Sequence, residues 1–569
     1  MISPSPRRDL SLVEAVLTCL VIGLACSGVG TLTACSRSGG WAGSPAMKRA
    51  DGGAGNAGGR PPSGILPSRV RRLANAEYDG SVQALLSTQR RPASEPDFPP
   101  DLRRDGFTVN AAQRVDAVVV ERLADAADAL VTEAQANGTL ARLAPCAAPT
   151  DGAPCARTFI TTFGAKVYRR PLVEEEVEAL LELYTIGAEG ASYQDGIAHV
   201  TRGLLQSAGF LYLTELGSGG ARADGTVALT PSEIAASLAY LITSAPPDAE
   251  LAARAAAGGL ADPGDREAQA RRLLSNDPRA KATAVRLVRE WLGIDRIETS
   301  AKDSLVYPAF EEEKARIVAE SRDFVAAVAF ESTGTVGELL GARWTLSSGP
   351  LALYRTTGEG PTLPSGATVL TDRVGILNRA AFLASYALAH EGHPIFRGVA
   401  IAQRVACMGL DSPASFNIQV IPPAPDPTVT TRQRYDVHVR DEICAGCHDV
   451  IDPFGFAFEH YDGMGAYREL EHGKSVDSAV DVSIGRDFDG HYADGNQLAA
   501  ALAESTSVRE CFARFMFRAL SGTGDGAATP GEDDFLAAWR AAPAAARGGI
   551  VETLISAVGS PSFAVRGAP

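Results

Sequence analysis

The chain has 569 residues, of which 45% are hydrophobic, and this length accommodates about three to five domains of ordinary size. Asp and Glu number 68 against 53 Lys and Arg, so the formal net charge is −15. Because no basic run stands out against this acidic balance, nucleic acid is not expected as a partner.

The first residues predict a lipoprotein signal peptide (1–35). A positively charged start is followed by an apolar run, Ala15 to Ala25, which is too short to span a bilayer. Leu32-Thr33-Ala34-Cys35 then has the form of a bacterial lipobox, so Cys35 is the predicted lipidation site. The lipid would anchor the protein to a membrane on the periplasmic side of the cell envelope, as an outer-membrane lipoprotein. Plain secretory cleavage before Cys35 or near Cys26 is the alternative.

Helical patterning dominates the chain after a flexible tether. Residues 36–64 are rich in Gly, Ser, Ala and Pro and cannot bury enough apolar surface to fold. Apolar residues then recur at spacings of three and four, which predicts a mainly α fold of several stacked helical modules. The first three predicted modules are 65–140, 155–218 and 227–357. In the third module, Thr230-Pro231-Ser232-Glu233 is a capping box with Pro at the first helical position.

Two further modules complete the predicted organisation. A small module at 371–472 contains a Cys-x-x-Cys-His motif, and a C-terminal helical module follows at 475–569. A helix is expected to run from Thr431 to that motif. The short, turn-rich stretch from Val476 to Gly490 predicts a β-hairpin near the C-terminus.

The most specific motif is Cys444-Ala445-Gly446-Cys447-His448, the attachment signature of a c-type haem. Two thiols three positions apart can each form a thioether bond to one vinyl group of a single porphyrin. The adjacent His448 can then bind the iron as proximal ligand. The carbonyl group of Pro453 is expected to pair with the far ring nitrogen of His448, which would orient the ring and raise its basicity. The motif therefore predicts covalent haem c as the cofactor.

The Cys-x-x-Cys-His motif has three other interpretations. A zinc ribbon needs a second pair of ligands at similar spacing, and the chain has no second Cys-x-x-Cys. A thioredoxin-type dithiol is followed by a helix, whereas Pro453 and Gly455 follow this motif. A structural disulfide between Cys444 and Cys447 stays possible.

Four cysteines remain once those of the signal peptide and of the haem motif are set aside. An even remainder in an exported protein indicates disulfides. Cys146 and Cys155 bracket a short loop that contains Pro and Gly, so they are natural partners. This leaves Cys407 to pair with Cys511, which would tie two modules together. Free buried thiols are the alternative for both pairs.

The sixth ligand of the iron is the least determined part of the predicted site. Met464 is the first candidate because Gly463 and Gly465 would permit close approach to the macrocycle. Core packing is the other interpretation of any single methionine. The remaining candidates are Met516, Met408, His460, His438, His390 and His393.

The motifs follow an order that is known from one family. They are Arg72-Leu73 with Glu77-Tyr78, Tyr168-Arg169-Arg170-Pro171-Leu172, the stretch 229–344, Arg397-Gly398 with the Cys444–His448 motif and Ile451-Asp452-Pro453-Phe454-Gly455, and Cys511 with Phe517-Arg518-Ala519-Leu520. In this order the chain resembles the exported multi-module proteins of planctomycetes and myxobacteria called planctomycete cytochrome-c-like proteins. The resemblance covers nearly all of residues 66–522. It implies haem c binding and no established reaction.

Three functions remain open at this point. The first is an electron-transfer haem protein on a lipid anchor, with an unknown redox protein as partner. The second is a binding or scaffold protein of the cell envelope that is stabilised by haem or by a disulfide. The third is a haem enzyme with an open sixth iron position. Two protein ligands on the iron favour electron transfer, and an open position favours chemistry.

Overall fold

The structure is a computed structural model. The residues that it describes are 65–95, 98–147, 152–346, 352–357, 363–410, 423–436, 442–522 and 529–568. Within them the chain forms 22 α-helices and eleven short strands, which confirms the predicted mainly α class. The predicted signal peptide, the lipidation site Cys35 and the tether lie outside the described residues.

The first two predicted modules share one hydrophobic core. Their helices are α1 (Asn75–Leu86), α2 (Ala117–Ala136), α3 (Thr139–Leu143), α4 (Ala153–Tyr168), α5 (Glu174–Ala188), α6 (Tyr193–Gln206) and α7 (Ala208–Leu211). Strand β1 (Arg69–Arg72) pairs antiparallel with β2 (Tyr212–Glu215), with Arg69 opposite Glu215. The two ends of this unit are therefore held together, and apolar residues between Tyr78 and Leu211 form a single cluster.

A second, larger core includes Phe107 of the first module and most of the remaining described chain, from Leu229 to Phe563. Its first helices are α8 (Pro231–Thr243), α9 (Ala249–Ala256), α10 (Pro263–Asn276), α11 (Pro278–Leu292), α12 (Phe310–Glu331) and α13 (Val336–Gly341), with 3-10 turns at Gly259–Ala261 and Ile294–Glu298. Strand β4 (Trp344–Leu346) pairs with β6 (Ala367–Leu370), which also pairs with β5 (Thr356–Thr357).

The same core continues to the end of the chain. Its later helices are α14 (Ala380–Ser385), α15 (Pro394–Arg404), α16 (Thr431–Tyr435), α17 (Glu442–Phe456), α18 (Gly495–Glu504), α19 (Thr506–Ser521), α20 (Glu532–Ala541), α21 (Ala544–Gly548) and α22 (Ile550–Gly559), followed by a 3-10 turn at Pro561–Ala564. The last strand, β11 (Val565–Gly567), returns to pair with β3 (Thr226–Ala228). The C-terminal segment is therefore part of the third module's edge.

Two small hairpins lie between α17 and α18. Strand β7 (Leu470–Glu471) pairs with β8 (Lys474–Ser475), and β9 (Val480–Val482) pairs antiparallel with β10 (Gly490–Tyr492). The second of these matches the hairpin expected near the C-terminus.

Local sequence signals explain several helix starts. The Thr230 side chain accepts a hydrogen bond from the backbone N–H of Glu233, and the Glu233 carboxylate accepts one from the N–H of Thr230 at 2.8 Å. This is the capping box that the sequence predicts, with Pro231 in the first turn. Asp262 and Asp277 likewise cap the two following long helices.

The helix that carries the Cys-x-x-Cys-His motif departs from the expectation. We expected Pro453 and Gly455 to exclude a helix after the motif, but α17 includes the motif and runs through both residues. A proline removes only one backbone hydrogen bond, and the packing of α17 against α15 holds the helix together across it. The helix that was expected to begin at Thr431 is limited, in the described residues, to the five residues of α16.

Candidate functional site: the helix pair that carries Cys444, Cys447 and His448

Two glycines allow α15 and α17 to approach each other closely. A Cβ atom added to Gly398 would lie 2.2 Å from the backbone oxygen of Ile451. One added to Gly455 would lie 2.2 Å from the backbone oxygen of Pro394. Because Gly398 faces Ile451 while the earlier Pro394 faces the later Gly455, the two helices are antiparallel. Glycine at both positions is thus required by packing rather than by a turn.

Cys444 and His448 of the motif lie on the side of α17 that faces α15. Cys444, His448, Ile451 and Gly455 are spaced four, three and four residues apart, which places them on one stripe of a helix. Cys444 is seven residues before Ile451, or about 10 Å along the axis at 1.5 Å per residue. The same distance along α15 from Gly398 leads past the end of that helix. Cys444 therefore lies level with the residue that follows Arg404, and His448, three residues before Ile451, lies level with the last turn of α15.

Both thiols of the motif are unpaired. Cys444 and Cys447 are half-buried and take part in no disulfide. Gly446 between them is exposed, and a Cβ atom added there would meet nothing within 4 Å. Two thioether bonds to one porphyrin require two unpaired thiols and open space beside them, and this turn of α17 provides both. The donor set therefore fits haem c.

The ring of His448 is held by a carboxylate. Its Nδ1 lies 2.8 Å from Oδ1 of Asp452, one helical turn later, and only 16% and 8% of the two side chains are exposed. The expected partner was the carbonyl group of Pro453, and this prediction is wrong. In the continuous helix the Pro453 carbonyl points along the axis and accepts a hydrogen bond from the backbone N–H of Ala457. A side chain four residues away can reach the ring, whereas that carbonyl cannot.

A buried arginine joins the two helices just beyond the motif. Arg397 of α15 is fully buried and donates to the backbone oxygen of Gly455 at 2.8 Å and to the Glu459 carboxylate at 2.6 Å. Arg468 donates to the other oxygen of Glu459 and to Glu471. Burial lowers the pKa of Arg397, and the Glu459 charge offsets part of that cost. This network fixes the position of α17 relative to α15.

Met464 lies in the larger hydrophobic core. Its side chain belongs to that cluster, with 7% of the residue exposed. The turn around it is closed by Asp462, whose Oδ1 accepts hydrogen bonds from the N–H groups of Met464 and Ala466. The N–H of Gly463 donates to the hydroxyl of Tyr307 at 3.0 Å, and burial together with Asp462 raises the pKa of that tyrosine to about 12. The structure thus gives Met464 a packing role.

The other candidates for the sixth ligand have varied surroundings. His393 is buried, and its Nδ1 accepts the N–H of Phe396 at the start of α15. The ring of His460 pairs with the backbone oxygen of Arg468. The remaining four are His390, whose side chain is 46% exposed, Met516, which is buried in α19, Met408, which is half-buried directly after Cys407, and His438, which lies outside the described residues. Among them, Met408 follows α15 at the end where the motif lies.

The structure contains both disulfides with the predicted pairing. Cys146 pairs with Cys155 across the short loop, and Cys407 pairs with Cys511. The second bond joins the segment after α15 to the middle of α19. The backbone oxygen of Arg404, close by, accepts a hydrogen bond from the indole N–H of Trp291 at 2.7 Å. The end of α15 beside the motif is therefore anchored to the core.

Sequence reasoning missed Asp452, Arg397 and Glu459 as parts of one site. Asp452 could have been found from its spacing of four residues from His448, had the helix been expected to continue. The contact between Arg397 and Glu459 spans 62 residues, and no local signal marks it.

Four family models match the chain in sequence order. PSD3, a protein of unknown function (DUF1587), matches residues 71–136, and PSD5 (DUF1595) matches residues 155–215. PSD4 (DUF1592) matches residues 229–354, and PSCyt3 (DUF1588) matches residues 373–471. The chain therefore contains four successive modules that are similar to these families of unknown function. The abbreviated name of the fourth model hints at a cytochrome-like module, and all four descriptions state that the function is unknown.

No curated protein and no solved structure matches the chain. Among the described residues, no group of three or more His, Cys, Asp or Glu side chains is arranged as a metal-ion site. In the same part of the chain, every helix is too short or too polar to cross a bilayer.

Proposed function

We propose that this multi-module protein is an exported, lipid-anchored c-type haem protein that transfers electrons. The observation that carries the proposal is the turn of α17 on which two unpaired, half-buried thiols precede an oriented histidine. Cys444 and Cys447 would hold the porphyrin covalently, and His448 would bind the iron through Nε2. The bound haem would supply the one-electron chemistry.

The surroundings of α17 support a fixed rather than a mobile site. Close packing at Gly398 and Gly455 and the buried Arg397 prevent α17 from sliding along α15. Asp452 holds the ring of His448 in one orientation. Since a fixed proximal ligand keeps reorganisation on electron transfer small, this rigidity suits a carrier of electrons.

Export and lipid anchoring remain part of the proposal. Two disulfides are compatible with an oxidising compartment outside the cytoplasm, where haem c is attached. Cys35 in the lipobox would carry the lipid, and residues 36–64 would hold the folded part away from the outer membrane. The acidic net charge suits a basic redox protein as partner.

The sixth iron position separates electron transfer from catalysis. The Met464 side chain packs in the hydrophobic core, so its position favours a different residue as the sixth ligand of the iron, or no protein ligand there. Met408 is the methionine that follows α15 at the end where Cys444 lies, and we assign it as the first candidate. If no side chain binds the iron, the haem enzyme with an open sixth position becomes the better function.

The covalent haem is tested by producing the protein together with a haem-c maturation system. A denaturing gel stained for haem should show a band for the wild type, and Cys444→Ala with Cys447→Ala should abolish it. The same double substitution at Cys146 and Cys155 is the matched control and should keep the band. Correctly exported wild-type protein without a stained band would refute the proposal. Mass spectrometry of the mature N-terminus tests Cys35, and an unmodified amine there would reject lipidation.

A further inference from the structure

We propose that Asp452 is a positioning residue whose hydrogen bond to Nδ1 makes His448 a stronger donor to the iron and thereby lowers the reduction potential of the haem. The inference rests on the proposed function, because it concerns the iron ligand of the same site. The partner of the Nδ1 atom is thus a carboxylate, and the expected potential differs from that of a site in which a neutral carbonyl group orients the proximal histidine.

The contact is short, local and shielded from water. Asp452 lies one turn after His448 on the same helix, so no loop movement can separate the two side chains. The distance of 2.8 Å from Nδ1 to Oδ1 is that of a charge-assisted hydrogen bond. Only 8% of the Asp452 side chain is exposed, so solvent screens the interaction weakly.

A carboxylate acts on the ring differently from a carbonyl group. The negative oxygen attracts the Nδ1 proton more strongly, which raises the electron density at Nε2 and makes the histidine a stronger donor to iron. A stronger donor favours the ferric over the ferrous state, since the extra positive charge of ferric iron is better compensated. The potential is therefore expected to be lower than with a neutral partner.

The rest of the helix keeps this geometry in place. Ile451, next to Asp452, is in backbone contact with Gly398, and Gly455 is in contact with Pro394. Asp449 lies on the same helix one residue after His448, but its side chain is exposed. Asp449 thus provides a control with the same charge at a similar distance along the chain and without the buried hydrogen bond.

The test is a spectroelectrochemical redox titration of the full haem-loaded protein. Asp452→Asn removes the charge and keeps the shape of the side chain, and Asp449→Asn removes one charge at the surface. We expect the potential to shift upward in Asp452→Asn, by clearly more than in Asp449→Asn. Asp452→Ser is measured in the same way, so that the comparison still stands if the Asn variant does not fold.

The outcomes distinguish this inference from the proposed function. Equal shifts in the Asp452 and Asp449 variants would mean that only net charge matters, which overturns the inference while the haem protein stands. An unchanged potential in Asp452→Asn or Asp452→Ser overturns it as well. Absence of covalent haem in the wild type would instead overturn the proposed function itself.

Discussion

Replacement of Gly398 by alanine should disturb the helix pair that carries the haem motif. The new Cβ atom would lie 2.2 Å from the backbone oxygen of Ile451 and 2.9 Å from its Cγ2 atom. Carbon and carbonyl oxygen normally approach to about 3.3–3.6 Å, so α15 and α17 must separate by about 1 Å. Overpacking of this kind costs about 1–3 kcal/mol.

Gly446→Ala is the matched control for this substitution. Gly446 is the fifth residue of α17, as Gly398 is the fifth residue of α15, and nothing lies within 4 Å of a Cβ atom there. Both substitutions gain about 1 kcal/mol of helix propensity over glycine. The difference in unfolding free energy between the two variants therefore isolates the overpacking cost, and we expect Gly398→Ala to be the less stable by about 1–3 kcal/mol.

Urea unfolding followed by tryptophan fluorescence measures this difference, because Trp291 is buried beside the end of α15. The haem content of each variant after maturation is recorded as well, and it should fall in Gly398→Ala. Equal unfolding midpoints and equal haem content in the two variants would refute the close approach of α15 to Ile451.

Three further outcomes are expected. Burial would raise the pKa of Glu215, but the charges of Arg69 and Arg566 hold this pKa well below its ordinary range. The stability that the Glu215 carboxylate contributes is therefore fully present above about pH 4.3, and it is lost as the pH falls through the pKa of the folded state. Glu215→Gln should cost about 3–5 kcal/mol at pH 7 and flatten the loss of stability between about pH 5 and pH 3, and an acid unfolding curve as steep as that of the wild type would contradict this. Replacement of both cysteines of the disulfide that closes 104 residues should lower stability by up to about 4–5 kcal/mol in thermal unfolding, and an unchanged melting temperature would argue against the bond. Met464→Leu should leave the near-infrared band of a methionine-ligated ferric haem in place while Met408→Leu abolishes it, and rapid cyanide binding by the wild type would favour an open iron position.

The local sequence was sufficient for features that depend on near neighbours. Capping at Thr230 follows from a hydroxyl and a carboxylate three residues apart, and the Cys-x-x-Cys-His spacing alone defines the predicted haem ligands. The disulfide pairs followed from counting, because a loop brackets Cys146 and Cys155 and only one other pair remains. The cap, the motif and the Cys146–Cys155 bond could be predicted because a few bonds of backbone bring their atoms together, whereas Cys407 and Cys511, 104 residues apart, were paired by elimination.

The tertiary structure decided the features that depend on distant segments. It showed that α17 continues through Pro453, because packing against α15 compensates for one lost hydrogen bond. That continuation turned Asp452, rather than Pro453, towards His448. The fold also brought Arg397 to Glu459, and it combined the predicted modules into two shared hydrophobic cores. Buried apolar side chains and buried charges need partners, and the segment that lies nearest in space provides them, however distant it is in the sequence.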